Sequence, residues 1–371
     1  MYYFIPNAFR LGPIVKGFFE IIFLFYALLY LTKSKIHLLF SIILFILFFL
    51  TGQYFLTLSG LHIHFWENFN SLFKYLFPII LFLPAKDIID CKKGTEKIWK
   101  VYKWVLIINS IFIIVGLIFS IEFFRTYKGP WRFGYNGLIF AQNESSYIFI
   151  FAITTLYYRR FYKNIKEKLF WLILASSFLV GTKAVYLYLV LLLIFHFLQR
   201  VSFKKFISTV LLLGISGYLV FFSLINKIIL NAWEVFNYSY QKFGLLAAIL
   251  SGRNFFIQQK LIPLVSTKWS FINFIIGGHD MKTYYIEMGL IDLFLFFGLL
   301  GGLLYLYIFF KMLNFVQFEY KFKLFFTLSL LGIIALSGHF FESGIATIHF
   351  IFFILVNQYQ KTGETDEHKY Q

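Results

Sequence analysis

Long apolar segments recur along the whole chain of 371 residues, separated by short polar stretches. A helix of about 20 apolar residues crosses the hydrocarbon of a bilayer, and it can be apolar on every side because lipid surrounds it. Hydrophobic residues make up 60% of the chain and charged residues 14%, and the mean hydropathy is +0.76. These values exclude soluble enzymes and transcription factors. We therefore expect an integral membrane protein.

The apolar segments predict an all-α fold, a polytopic transmembrane helix bundle of about 11–12 spans. The predicted spans are 16–32, 36–58, 69–84, 104–123, 137–158, 169–181, 184–198, 206–225, 289–310, 324–341 and 344–358. The residues from Leu169 to Leu198 form either one overlong helix or a tight hairpin broken at Gly181-Thr182-Lys183. The choice decides which side of the membrane every later loop faces.

The distribution of basic residues favours the hairpin. The chain carries 34 Lys and Arg against 17 Asp and Glu, a formal net charge of +17. With the hairpin, 21 of the cations fall on one side, 11 on the other, and Lys74 and Lys183 inside spans. The positive-inside rule makes the richer side the cytoplasm. The large loop is then expected on the outer side of the membrane.

This topology divides the chain into four parts. Residues 1–225 form an N-terminal bundle of about eight spans, and 226–288 form one large outer loop that contains short helices. Residues 289–358 form the C-terminal transmembrane helices, and 359–371 a cytoplasmic tail. Cys91 is the single cysteine, which excludes an intramolecular disulfide.

Several cations fall on the outer side, where the topology rule does not require them. Arg125, Lys128 and Arg132 crowd one short outer loop, and Lys183 lies at the break between two short spans. A cation at such a depth costs about 2.5–3.5 kcal/mol, which makes Lys183 a candidate for function. The alternative is that Lys183 extends its amine to the interface.

The large loop contains a second basic pattern. Serine is a preferred N-cap residue, so Ser251 is expected to begin a helix of about ten residues that Pro263 ends. Arg253 would then lie in the first turn with Lys260 on the same face, where they could bind an anion. A solvated Arg253 is the alternative.

Acidic and histidine side chains also gather at predicted outer helix ends, where each is a candidate general base or simply a partner for a nearby cation. The principal ones are Glu287 and His339, and the secondary ones are Glu144, His279, Asp292 and Glu342, with the amide of Asn143 as a further candidate beside Glu144. The chain has no phosphate-binding GxxxxGK[ST], no HExxH and no Asp-x-Asp pattern. We expect no metal and no cofactor.

The order of these motifs resembles the O-antigen polymerase (Wzy) family within the O-antigen ligase-like superfamily of GT-C-type membrane glycosyltransferases. The resemblance covers about 125–345, and the matching pieces are Arg132-Phe133-Gly134 with Gln142-Asn143-Glu144, Gly181-Thr182-Lys183, Ser251-Gly252-Arg253, Ile276-Gly277-Gly278, Glu287-Met288 with Asp292 and Phe297-Gly298, and Gly338-His339. The ligase branch usually has His-Asn where Glu287-Met288 stands here, which disfavours a ligase.

The resemblance implies a metal-independent glycosyltransferase that joins undecaprenyl-pyrophosphate-linked repeat units on the periplasmic face. Arg132, Lys183 and Arg253, with Lys260, Arg125 and Lys128 near them, would bind pyrophosphate, and Glu287 or His339 would deprotonate the acceptor. The implied partners are the lipid-linked oligosaccharide, membrane lipids and a chain-length regulator in the same membrane, with no nucleic acid. The alternatives are the related ligase and a transporter or flippase of the lipid-linked sugar.

Overall fold

The computed structural model describes residues 25, 36–88, 92–127, 132–139, 141–200 and 222–358. These residues are helical or in loops, with one isolated antiparallel bridge between Arg125 and Tyr135 and no strand. The predicted all-α class is therefore confirmed over these ranges. Almost all of the predicted spans 16–32 and 206–225, and the tail, lie outside the described residues.

Thirteen α-helices are described, together with a 3₁₀ turn at Glu122–Phe124 and two π-helical turns at Ile257–Leu261 and Leu264–Lys268. In chain order they are α1 (Ile36–Leu58), α2 (Phe65–Ile88), α3 (Lys92–Ile118), α4 (Gln142–Phe161), α5 (Leu169–Val180), α6 (Lys183–Arg200), α7 (Phe222–Leu250), α8 (Arg253–Phe256), α9 (Phe271–Ile276), α10 (Met281–Tyr284), α11 (Gly289–Asn314), α12 (Tyr320–Leu336) and α13 (Gly344–Asn357). Within the described ranges, three segments are long and apolar enough to cross a membrane, namely Leu39–Leu58, Gly94–Ile118 and α11.

Several helices extend past the boundaries predicted from hydropathy, and two of them do so by the most. α3 begins at Lys92 and not near 104, because lysine and glutamate are good helix formers that a hydropathy window does not count. α7 begins at Phe222 and runs across the expected loop boundary at 225/226, with a non-helical kink at Gly244. Residues 226–288 contain short helices, as predicted. They also contain most of the long helix α7, which the sequence did not predict.

The predicted hairpin at Gly181 is confirmed. The directions of α5 and α6 follow from their contacts with α4. Phe161 at the end of α4 packs on Phe170 at the start of α5, so α5 runs antiparallel to α4. Ser146 near the start of α4 hydrogen-bonds Thr182, and further along Thr154 hydrogen-bonds Tyr188, so α6 runs parallel to α4. The chain therefore reverses at Gly181, whose φ of 73° is left-handed.

α4 is the central helix of the bundle, since every residue from Ser145 to Tyr158 is buried. Its Phe151 packs on Phe326 of α12 and on Phe350 and Phe353 of α13. Aromatic rings of this kind fill the space between helices with large apolar contact areas. The start of α4 is consequently fixed against the neighbouring helices.

The loops gather at two ends of the bundle. At the end where α4 begins, Tyr147 donates to the carbonyls of Ser337 and Gly338. At the opposite end, Tyr158 of α4 stacks on Phe318, which precedes α12. The loops after α5, before α11 and between α12 and α13 therefore share the first end, which we call the site end.

α11 is interrupted at Gly298, which the hydropathy pattern did not predict. Gly298 has φ 68° and ψ −171°, and a Cβ atom there would lie 2.3 Å from the backbone nitrogen of Gly277. The Gly278 N–H donates to the carbonyl of Leu295 at 3.0 Å. The Gly277-Gly278 turn therefore inserts against the broken helix and holds the chain before Glu287 in place.

The close approach at Gly181 is testable. A Cβ atom at Gly181 would lie 2.2 Å from the Phe133 carbonyl oxygen, so Gly181→Ala combines left-handed strain with overpacking, and we expect a loss of about 2–5 kcal/mol. Gly60→Ala is the matched control, because Gly60 has φ 75° and open space around it, and it should cost about 1–2 kcal/mol. Thermal unfolding in detergent measures both, and equal losses would contradict the packing at Gly181.

Candidate functional site

The loop before α4 docks on the break between α5 and α6. Thr126 donates its hydroxyl to the Val180 carbonyl at 2.7 Å, and the Tyr135 N–H donates to the Leu179 carbonyl at 2.8 Å. Gly134 permits this contact, since a Cβ atom there would lie 2.4 Å from the Val180 oxygen. Two motifs far apart in sequence, at Arg132 and Lys183, are thereby brought to the same place.

Three predicted cations converge there. The charges of Arg132 and Arg253 both lie within electrostatic range of Lys183. The Arg132 guanidinium lies 5.1 Å from the centre of the Tyr127 ring, and the Arg253 charge also acts on the Tyr127 hydroxyl. We call Arg132, Lys183 and Arg253 the cation cluster.

The hydrogen bonds of Lys183 go to uncharged oxygens. Its Nζ donates to the Ala248 carbonyl at 2.7 Å and to the Ser251 hydroxyl at 3.0 Å. These contacts tie the start of α6 to the loop between α7 and α8. The Lys183 amine therefore lies at the C-terminal end of α7. Among the described residues, no carboxylate lies within 4 Å of it.

Arg253 and Lys260 reach the same stretch of backbone. Arg253 Nε donates to the Glu287 carbonyl at 2.7 Å, and its Nη2 lies 3.8 Å from the Glu287 carboxylate. Lys260 Nζ donates to the Tyr285 carbonyl at 3.1 Å. Arg253 and Lys260 therefore contact two carbonyls that are two residues apart. We call residues 285–288 the site loop.

The helix that carries these two cations differs from the prediction. Gly252, with φ 83°, is the N-cap residue and not Ser251, and Pro263 does not stop the helix. Helical turns continue to Lys268, with π-helical turns on both sides of the proline. A wider turn gives the proline ring the room that an α-helix lacks, which hydropathy and propensity cannot show.

His339 lies beside the site loop. A Cβ atom on the preceding Gly338 would lie 2.8 Å from the Glu287 carbonyl carbon and oxygen, so the two backbones touch. His339 Nδ1 is 3.0 Å from the Tyr285 hydroxyl, and the Glu287 and Arg253 charges both act on the ring. Burial lowers the pKa of His339 below its ordinary value, with Arg253 and Lys74 acting the same way and Glu287 opposing. The imidazole is therefore neutral at pH 7.

Two secondary candidates lie behind the site loop. Asp292 is fully buried and accepts hydrogen bonds from the backbone N–H groups of Ile286 at 3.0 Å and Met288 at 2.8 Å. His279 is also fully buried, with Nε2 4.0 Å from Asp292 Oδ1. Burial lowers the pKa of His279 to about 3, so this ring is uncharged at neutral pH. Both side chains are out of reach of a ligand.

The remaining candidates are more dispersed. Glu342 accepts from the Tyr75 hydroxyl at 3.0 Å, and burial raises its pKa to about 8, so it holds a proton at neutral pH. Glu144 accepts from the Ser343 hydroxyl, which joins the starts of α4 and α13. No contact among the described residues links the side chains of Asn143 or Arg125 to the cation cluster, and Lys128 lies outside the described residues.

Cations and helix N-termini gather at the site end. The N-termini of α4, α6, α11 and α13 all lie there, and each adds partial positive charge. The cations at this end include Arg132, Lys183, Arg253 and Lys260. In the part of the chain that the structure describes, one carboxylate lies within 4 Å of any of them, that of Glu287, which is 3.8 Å from Arg253. The arrangement can therefore bind an anion of more than one negative charge beside a neutral imidazole.

The sequence patterns did not single out the tyrosines of this site. Tyr127 lies under Arg132, Tyr147 supports Gly338, and Tyr285 holds His339. The chain contains 25 tyrosines, so none of these three stands out by type. The one available signal is that each lies within a few residues of a predicted site motif.

No protein-family model, no curated protein and no solved structure matches this chain.

The coupling between Glu287 and His339 gives a direct test of the geometry. Glu287→Gln removes the negative charge that raises the pKa of His339, so we expect that pKa to fall further. Histidine-selective NMR titration in detergent measures it, with His339→Gln to assign the signal. Glu67→Gln is the control, since Glu67 is an exposed acid paired with Lys282. An unchanged His339 titration in Glu287→Gln would place the two side chains apart.

Proposed function

We propose that this protein is a metal-independent glycosyltransferase that polymerises oligosaccharide repeat units carried on undecaprenyl pyrophosphate. The product would be an O-antigen or capsule-like polysaccharide. The single observation that carries the proposal is the cation cluster, in which three segments of the chain bring Arg132, Lys183 and Arg253 together beside one carboxylate and a neutral histidine.

An excess of cations in one place is unfavourable unless something compensates it, because like charges repel and partly buried ones also lose hydration. Among the described residues, Arg253 is 14% exposed and has Glu287 as its one carboxylate partner, while Lys183 is exposed and bonds neutral oxygens. A pyrophosphate group would supply the missing negative charge, and guanidinium groups bind phosphate oxygens in a bidentate manner. The charge imbalance therefore favours a pyrophosphate-bearing substrate.

The chemistry follows from the positions of these groups. The acceptor hydroxyl attacks the anomeric carbon of the donor sugar as the bond from that carbon to the pyrophosphate oxygen breaks. The bonding electrons go to the pyrophosphate, and the cation cluster stabilises the growing negative charge. His339 takes the hydroxyl proton at Nε2, with Nδ1 held by Tyr285. The Glu287 carboxylate faces the oxocarbenium-like centre and orients Arg253.

An apolar groove near the site loop suits the lipid part of such a substrate. Its volume is about 510 Å³, and its lining is formed by Trp269, Phe274, Leu290, Ile291, Phe294, Leu295 and Leu299. Leu290 and Ile291 follow the site loop directly. A substrate with its pyrophosphate at Arg253 would have its isoprenoid chain within reach of this groove, where burial of apolar surface contributes to binding.

The proposal includes the topology expected from the sequence. The bundle would cross a bacterial inner membrane about 11–12 times, with the site end in the periplasm and Lys86, Arg159 and Lys311 at the cytoplasmic end. Grouping of the loops at two ends of the described bundle fits a membrane-spanning arrangement, and the distribution of Lys and Arg in the sequence supports this orientation. The partners would be the lipid-linked repeat, membrane lipids and a chain-length regulator.

Arg253→Ala tests the role of the cation cluster. Expressed at normal level in a strain that lacks its own polymerase, this variant should leave surface glycan with a single repeat, because the pyrophosphate loses its main anchor. The ladder of chain lengths on a gel is the measurement. Lys268→Ala, which removes a cation from the same helical segment, should leave a full ladder, and a full ladder in Arg253→Ala would remove Arg253 from the site.

Reconstitution separates the enzyme from its rivals. Vesicles that contain the purified protein and lipid-linked repeat should show chain growth without metal or nucleotide. Movement of the labelled repeat across the bilayer without growth would indicate a transporter. Transfer to a lipid A acceptor without growth would indicate a ligase.

The pH dependence of chain growth tests His339 as the base. The neutral imidazole is the active form, and burial lowers the His339 pKa below about 6.5, so the rate should hold through pH 7 and fall only as the pH drops below that value. Initial rates measured from about pH 5 to about pH 8 give the profile, because this range brackets the ordinary histidine pKa of about 6.5. His339→Gln should lose both the rate and the acid limb, and an acid limb at about pH 7 or above would exclude His339.

A further inference from the structure

We propose that Asp292 is a positioning residue that acts through Glu287, which rests on the proposed function for its catalytic consequence. Asp292 is fully buried, and its two carboxylate oxygens accept from the backbone N–H groups on either side of Glu287. The Asp292 carboxylate therefore holds the site loop by hydrogen bonds from its buried side. It does not line the exposed side of the loop, where a substrate would bind.

Glu287 needs such a support because of its backbone conformation. Its φ is 63°, in the left-handed region that costs a non-glycine residue about 1–2 kcal/mol. The hydrogen bonds from Ile286 and Met288 to the two oxygens of Asp292 hold the loop in this shape, and removal of either acceptor would leave a buried N–H group unpaired. The strained turn directs the Glu287 carbonyl to Arg253 Nε.

Asp292 is itself fixed from two directions. Its backbone N–H donates to the Met288 carbonyl at 2.9 Å as the first turn of α11 begins, and a negative charge near that N-terminus is favourable. On the other side, Gly289 packs against α12, since a Cβ atom there would lie 3.0 Å from the Ile334 carbonyl oxygen. The position of Glu287 is thus set by the rigid start of α11.

Asp280 provides a matched control. It is 1% exposed, and it also accepts two backbone N–H bonds, from His64 at 3.0 Å and Thr283 at 3.2 Å. Its bonds stabilise the loop before α10 and the loop before α2, and none of them reaches the residues beside Glu287. Asp280→Asn and Asp292→Asn are isosteric changes that weaken equivalent hydrogen bonds at different places.

The test is a double-mutant cycle of Asp292→Asn and Glu287→Gln in reconstituted vesicles. Misplacement of Glu287 should lower the rate of chain growth about 10- to 100-fold in Asp292→Asn, with no further loss when Glu287→Gln is already present. Asp280→Asn should keep the wild-type rate even where its melting temperature falls. Losses that multiply in the double variant, or an equal loss of rate in Asp280→Asn, would overturn the proposal.

A second measurement does not depend on catalysis. If Asp292 positions Glu287, Asp292→Asn should shift the NMR titration of His339 toward that of Glu287→Gln, and Asp280→Asn should leave it at the wild-type value. Absence of chain growth in the wild-type protein would defeat the proposed function alone. An unchanged His339 titration in folded Asp292→Asn would defeat the positioning role alone.

Discussion

Direct contact between backbones at glycine residues is the constraint on which the site depends. Gly181 touches Phe133, Gly338 touches Glu287, and Gly277 fits into the interruption of α11 at Gly298. At each contact a Cβ atom would lie 2.8 Å or less from a backbone atom of the neighbour, closer than van der Waals contact permits. These contacts let loops from distant parts of the chain meet without intervening side chains.

The electrostatics of the site follow from that packing. Glycine contacts bring Arg132 to Lys183, and the site loop brings Glu287 to Arg253. The hydrogen bonds of Lys183 and Lys260 go to uncharged oxygens, so the positive charge is held in place without being neutralised. Under the proposed function, this arrangement would lower the cost of binding pyrophosphate, because the cations are already held in position by hydrogen bonds.

Much of the fold could be read from local patterns. Apolar segments predicted α1, α5, α6 and α13 within a few residues, and Gly181 marked the reversal between two short helices. The break at Gly298 and the helix that continues through Pro263 could not be predicted, because both depend on what packs beside them. The tyrosines that support the site were missed since tyrosine is abundant throughout the chain.

The sequence by itself determined the helical class, the apolar character and the set of cations and acids at helix ends, because these depend on residue type and on spacing along one helix. Tertiary structure alone decided which of those residues meet. Arg253 and Glu287 are 34 residues apart, and Arg132 and Lys183 come from separate loops. Burial and distance also decide the role of Asp292, which hydrogen-bonds the backbone next to Glu287 and does not face a ligand. No local sequence pattern encodes that choice.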